Sequence, residues 1–307
     1  TAIARPLIAK RMSHFASKYG IDSLVHGATG KGNDQLRFEQ AWAYLCPDLE
    51  VIAPWKTWNF KGRTDLIEYL NSKGYEYEGE NKGKYSIDEN IFHKSIEGGE
   101  IETIESDFSI DDLVGLASTE KPERIELEFE QGILSSINGK QYSYVEMLTE
   151  LNTLGDRFKI GTIDIVEERV NGIKSRGIYQ TPGGSILYFA LKKLKEVCWG
   201  HKTTKLAQNI GIEYADLIYE GSWFSLARLS IEGFFQEASR CLSGSISINL
   251  KPYHIQLVSR HSPVSLYSEE IVSFEHDEEE INKAALGYSK TRCLPFKAEG
   301  RVAIHGK

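Results

Sequence analysis

Residues 26–39 read HGATGKGNDQLRFE, with glycines at 27, 30 and 32 set among Thr29, Lys31, Asn33 and Asp34. Glycine lets a backbone come close to an anion, and a helix that starts here would present free N–H groups at its positive end. Asn33 or Asp34 can cap that helix. Arg37 follows them by four and three residues, so all three can share one helical face. An amide, a carboxylate and a guanidinium together suit a zwitterion, an amino acid carrying both an ammonium and a carboxylate. The same pattern also fits a plain strand-to-helix turn. It is not a Walker A loop, which needs four residues between its first Gly and Gly-Lys and a hydroxyl residue after the Lys. Here two residues intervene and Gly32 follows Lys31.

The flanking elements would place this loop at the edge of a parallel sheet. Residues 2–19 carry a helical stripe of Leu7, Ile8, Met12 and Phe15, with Pro6 in the first turn and Gly20 as a stop. A short apolar strand ending at Val25-His26 leads into the glycines, which would sit at the carboxyl edge where α/β folds bind ligands. A helix from about 33 to 46, a strand in LEVIAPW and a helix over RTDLIEYLNSKG capped by Thr64 complete an alternating strand-helix region. After about residue 75 the pattern changes. The stretch 75–90 is polar and turn-rich, and 98–122 reads as an acidic loop. Ile125, Leu127 and Phe129 alternate with glutamates in a strand, and Asn138-Gly139 is a two-residue hairpin signal. Ser143-Tyr-Val-Glu146 is a capping box. Helices fit 185–198 and 222–242, and residues 244–259 form a second hairpin. The tail has no clear period, which leaves a packing arm or a partly disordered segment.

Composition bounds the functional classes. The 307 residues carry a formal charge of −8, with 41% hydrophobic and 26% charged residues. The acidic balance argues against a general nucleic-acid binder. No apolar run reaches the ~20 residues of a membrane helix, and the opening does not read as a secretory leader. Cys46, Cys198, Cys241 and Cys293 stand far apart, as in a reducing compartment, and the eight histidines show no zinc spacing. The expectation is a cytoplasmic protein without a metal site. The first residue is not Met, which suggests truncation or processing.

The exact strings carry more than their shapes do. HGATGKGNDQLRFE resembles the signature of the argininosuccinate synthase family. So do TAIARPLIA (1–9), APWKTWNFKGRTDLIEY (53–69), YSIDENIFHKSIEGGE (85–100), IGTIDIVEERVNGIKSRGIYQTPGGSIL (160–187) and SPVSLYSEE (262–270), in the same order. The resemblance covers residues 1 to about 275. It implies an α/β fold: a partial parallel-sheet nucleotide-binding domain of the adenine nucleotide alpha-hydrolase kind over 1–76, an α+β synthetase domain over 77–275 and a divergent tail over 276–307. It implies joining of citrulline to aspartate with ATP, through adenylation of the ureido oxygen and displacement of AMP by the aspartate amine. Positioning and charge stabilisation would carry catalysis, with no catalytic nucleophile. By motif match, Thr29, Asn33 and Asp34 hold aspartate, and Gly27 approaches ATP. Asn33, Arg37, Ser86, Ser95, Glu167 and Tyr179 hold citrulline. ATP arrives with Mg2+ as a substrate complex, no cofactor is tightly bound, and a homotetramer is implied.

Read without the resemblance, Ser86 opens a possible capping box, Ser95 suits a turn, Glu167 suits a surface strand and Tyr179 suits a core. The sequence also departs from the family pattern. Ala2 stands where many members have Ser, Ile96 where Tyr is common, and Gln180 and Ser185 replace Glu and Thr. The family's Ser-Gly-Gly-Leu-Asp-Thr-Ser loop, which cradles the ATP pyrophosphate, and a Tyr-containing citrulline stretch do not occur. The tail does not match the family's tetramer arm. The expectation is a fragment of a complete enzyme. A truncated, non-catalytic relative that binds amino acids or pairs with a full-length subunit is the other reading.

Overall fold

The computed structural model describes residues 2–30, 32–76, 85–107, 109–117, 121–272 and 279–305. The chain divides into two compact units, Thr1–Val264 and Ser265–Lys307.

The first unit begins with the alternating region. Helix α1 (Ala4–Tyr19) ends at Gly20 in the left-handed conformation, as the sequence predicts. Strand β1 (Ser23–Val25) pairs in parallel with β2 (Glu50–Ile52), and α2 (Asn33–Leu45) connects them. Ala9, Ala16, Leu24, Ala41 and Trp42 form the core between helices and strands. Helix α3 (Arg63–Ser72) follows. Thr64 is not its cap: Gly62 holds that position, and the Asp65 carboxylate reaches back to the Lys61 N–H at 2.8 Å.

Two antiparallel sheets come next. Strands β3 (Ser86–Asn90) and β4 (His93–Glu97) form a hairpin, followed by the short helix α4 (Ile110–Val114) within the expected loop. The turn-rich residues expected over 77–84, and residues 108 and 118–120 of the acidic loop, lie outside the described residues. Strand β5 (Glu123–Glu130) buries Ile125, Leu127 and Phe129, the alternation visible in the sequence. Its partner is β6 (Ile133–Ile137), but Gln131-Gly132 closes their hairpin, with φ of 50° and 81°. Asn138-Gly139 does form a tight turn with two positive φ values, yet it closes only the single bridge Ile137–Lys140.

Helix α5 (Tyr144–Arg157) starts in the predicted capping box, with Ser143 and Glu146 bonded reciprocally. Strands β7 (Thr162–Glu168) and β8 (Lys174–Gln180) follow, then α6 (Pro182–Cys198), α7 (His201–Tyr219) and α8 (Leu226–Ser239). The hairpin of β9 (Gly244–Lys251) and β10 (His254–His261) closes the unit. One sheet runs β10-β9-β5-β6 and the other β3-β4-β8-β7. The first is backed by α5 and α6 and holds the largest core, with Leu151, Phe158, Ile186 and Leu194 among its buried side chains.

The second unit contains a helical turn, α9 (Glu269–Val272), and the 27-residue helix α10 (Glu279–His305), with Pro295 inside it. The tail, read from sequence as a packing arm or a partly disordered segment, is helical over Glu279–His305. Residues 276–278 and 306–307 of that tail lie outside the described residues.

Candidate functional site

The register of the β3-β4-β8-β7 sheet decides which side chains meet. Asp88 lies opposite Ser95, Ser95 opposite Tyr179, and Tyr179 opposite Ile163; Ser86 lies opposite Glu97, and Glu167 opposite Ser175. Opposite residues share a face and alternate residues repeat it. Ser86, Ser95, Tyr179 and Glu167 therefore share one face, joined by Asp88, His93, Glu97 and Ser175. The reverse face buries Ile96 and Ile178 against Ile101, so the sheet cannot flip without exposing its own core. Ser86 begins a strand, not a helix, and Ser95 lies within one, so the capping-box and turn readings of these serines fall.

On this face the Tyr179 hydroxyl donates to Glu167 Oε1. The Tyr179 ring lies along its strand over Gly177: a Cβ there would sit 2.9 Å from the hydroxyl and 3.0 Å from two ring carbons. His93 stacks on the other side, with ring centroids 5.3 Å apart, and its Nδ1 lies 3.3 Å from Thr181 Oγ1. Burial, together with bonding to Glu167, raises the pKa of the Tyr179 phenol, so it stays a proton donor. Glu97, itself pushed up by burial, pairs with Arg169 at 3.3 Å.

The start of α2 meets this face. Asn33 and Asp34 are its first residues; neither caps it, because Gly32 takes that position in an extended conformation. Their side chains turn to other strands and loops instead. Asn33 Oδ1 accepts from the Val170 N–H at 3.0 Å, just past β7. Asp34 accepts from Arg37 at 3.4 Å, as the spacing predicts, and from Arg5 at 2.8 Å; Arg5 also reaches Asp88 at 3.2 Å. Arg37 is turned inward and only 4% exposed. Its Nε and Nη2 donate to the Tyr219 carbonyl at 3.0 and 2.8 Å. Burial lowers its pKa, with Asp34 and Tyr219 opposing.

The glycine loop hangs from the same end of the parallel pair. His26, 6% exposed, bonds through its N–H to Ile52 O at 3.2 Å. Its Nδ1 accepts from the Ala28 N–H at 3.2 Å, so Nε2 carries the proton and faces Glu39 at 3.2 Å. Partial burial works against the Glu39 carboxylate, but Lys56 and His26 hold it below its usual range. Gly27 and Thr29 are exposed, and a Cβ on Gly27 would meet nothing within 4 Å. Open space beside that backbone is what close approach of a ligand requires. Lys31 lies outside the described residues. Arg5, Asp88, His93, Glu97, Arg169 and Tyr219 were not singled out from sequence. Each reaches the site across at least 29 residues of chain or by strand register, which no local pattern reports.

One consequence concerns acid. Burial depresses the His93 imidazole to about 4, despite the upward pull of Glu167 and Asp88. An unfolded histidine titrates near ~6.5. The neutral ring therefore contributes stability that is complete above about pH 6.5 and is lost as pH falls towards 4. Replacing His93 with Gln is expected to lower the melting temperature more at pH 7.5 than at pH 5. A gap independent of pH would refute the assignment.

Comparison with known proteins decides the family. The model of the arginosuccinate synthase N-terminal HUP domain matches residues 1–76, and that of the arginosuccinate synthase C-terminal domain matches 85–299. The chain belongs to the argininosuccinate synthase family. It is 40% identical to the argininosuccinate synthase of Caldicellulosiruptor saccharolyticus over 98% of this chain and 76% of that protein. The synthase of Caldanaerobacter subterraneus is also 40% identical, over 100% of this chain and 76% of its own length, and that of Clostridium perfringens 39%, over 99% and 76%. Membership makes the chain an argininosuccinate synthase by function, a ligase that forms AMP. The HUP match agrees with the parallel β1-β2 pair and the strand-loop-helix start of the fold. Among the described residues no helix is long and apolar enough to cross a membrane.

Proposed function

We propose that L-citrulline binds on the shared face of the β3-β4-β8-β7 sheet and L-aspartate at the start of α2, with Mg-ATP approaching the glycine loop. The observation that carries this reading is the convergence of Ser86, Ser95, Glu167 and Tyr179 from four strands onto one face that meets Asn33. Glu167, oriented by Tyr179, supplies a negative charge for a substrate ammonium, and the hydroxyls suit the uncharged ureido end. Thr29, Asn33 and Asp34 hold aspartate so that its amine points at the citrulline carbon. Arg37, with Arg5, fixes the Asp34 carboxylate and contributes positive charge towards the citrulline carboxylate. The exposed Gly27 backbone leaves room for the nucleotide, and Mg2+ enters as part of that substrate.

The reaction is adenylation of the ureido oxygen with release of pyrophosphate, then displacement of AMP by the aspartate amine. Residues of this chain serve it by placement, and no side chain forms a covalent intermediate. Residues 1–76 carry the nucleotide and aspartate side, 77–275 the citrulline side, and 276–307 a tail. A cytoplasmic homotetramer fits this assignment.

The test is calorimetric titration of the chain with citrulline and with aspartate, followed by an assay for argininosuccinate, AMP and pyrophosphate with Mg-ATP. Saturable binding and stoichiometric products are expected. Absence of binding by either amino acid would overturn the proposal. Binding without product would favour a non-catalytic relative.

A further inference from the structure

Tyr219 closes helix α7, and the carbonyl groups of a helix's last turn have no partners within the helix. Its carbonyl receives two N–H groups of the buried Arg37, at 3.0 and 2.8 Å. A cation at the negative end of a helix is favourably placed. The Tyr219 ring also lies against that guanidinium, 5.2 Å from carbon to centroid. This approach depends on Gly221, whose φ of 95° turns the chain and whose missing Cβ would sit 2.9 Å from the Arg37 Cα. The hydroxyl faces the opposite way. It donates to the Glu168 carbonyl at 3.1 Å, on the strand residue next to Glu167. Asn33 grips the Val170 N–H, past the end of β7. One tyrosine thus touches Arg37 with its carbonyl and ring, and the end of β7 beside Glu167 with its hydroxyl.

We infer that Tyr219 is a positioning residue for the substrate-holding face, its carbonyl seating Arg37 and its hydroxyl holding the Glu168 carbonyl and with it the neighbouring Glu167. The inference rests on the substrate reading above. Without the hydroxyl, Glu167 keeps Tyr179 as a donor, but the strand end that carries it loses its tie to α7. The two sides of the site then hold their separation less tightly, while the fold, which uses the ring and carbonyl, is retained.

Tyr219→Phe isolates the hydroxyl. Citrulline affinity measured by calorimetry is expected to fall about tenfold, the size of one hydrogen bond. The melting temperature should stay within about a degree. Tyr253→Phe, which removes a hydroxyl bonded to Asp111 at 3.0 Å, should leave citrulline affinity unchanged. If the unaltered chain binds citrulline and Tyr219→Phe binds it equally well, the inference fails and the substrate reading stands. If Tyr219→Phe melts several degrees lower with unchanged affinity, the hydroxyl serves packing alone and the inference also fails. If the unaltered chain binds no citrulline, the substrate reading and the inference fall together.

Discussion

Gly177→Ala is expected to lower kcat/KM for citrulline about a hundredfold while the melting temperature moves by no more than a few degrees. The backbone at Gly177 does not demand glycine, since its φ lies outside the left-handed region; the space above it does. The added methyl would fall 2.9 Å from the Tyr179 hydroxyl and 3.0 Å from two carbons of its ring. No real Cβ tolerates that contact, so the ring lifts. It does so cheaply, because a side-chain end moves and the strand does not. The pairing of β8 with β4 and β7 survives, and alanine even reduces the freedom of the unfolded chain by about 0.4–1 kcal/mol. The hydroxyl, however, leaves Glu167, and His93 stacked on the other side limits where the ring can go. Displacement of a positioning group by about 1 Å is enough for a loss of the order of 10²-fold. Steady-state kinetics with citrulline as the varied substrate, alongside a melting curve, checks this. Unchanged kcat/KM would remove Tyr179 and Glu167 from the working site.

The same glycine marks the limit of what the chain reveals as a string. Some features were legible: the Gly20 stop of α1, the Ile125-Leu127-Phe129 strand, and the Ser143 box. The apolar stripe read into α1 was not the buried one, since Leu7, Ile8 and Phe15 are exposed while Ala9 and Ala16 are buried. The Asp34–Arg37 contact was legible too, because three residues of helix fix that distance whatever surrounds it. Strands β7 and β8 carry no such signal. Ile163 and Ile165 are more than a third exposed on the face proposed to hold citrulline, so apolar and polar residues do not separate between the two faces. Helix α7 is similarly obscure, with Ala207 alone fully buried among its described side chains. The capping role expected for Asn33 failed because a tertiary partner, the Val170 N–H, competes for the same oxygen. Contacts across 83 residues, as from Arg5 to Asp88, or 182, as from Arg37 to Tyr219, exist only once the layers are assembled.

Arg37→Lys is the second substitution with a large expected effect, and it should act on stability as well as on binding. The native guanidinium is planar and spends two parallel N–H groups on one carbonyl and a third on Asp34. An ammonium is a compact point charge on a flexible stem and cannot reproduce that fork. At 4% exposure water cannot make up the difference. Lysine can meet the Tyr219 carbonyl or Asp34, and whichever it leaves becomes an underpaired group in a buried seam. Breaking a buried ionic arrangement in this way costs about 3–5 kcal/mol. In a domain of this size that corresponds to a fall of roughly 6–20 °C in melting temperature. Asp34 would keep Arg5 as its partner, so aspartate binding should weaken less than citrulline binding. Arg5→Lys, with an 18% exposed side chain and only Nη2 bonded to Asp34 and Asp88, should cost clearly less than Arg37→Lys. If the two substitutions lower the melting temperature equally, the seam between α2 and the end of α7 is not where this half of the site is held together.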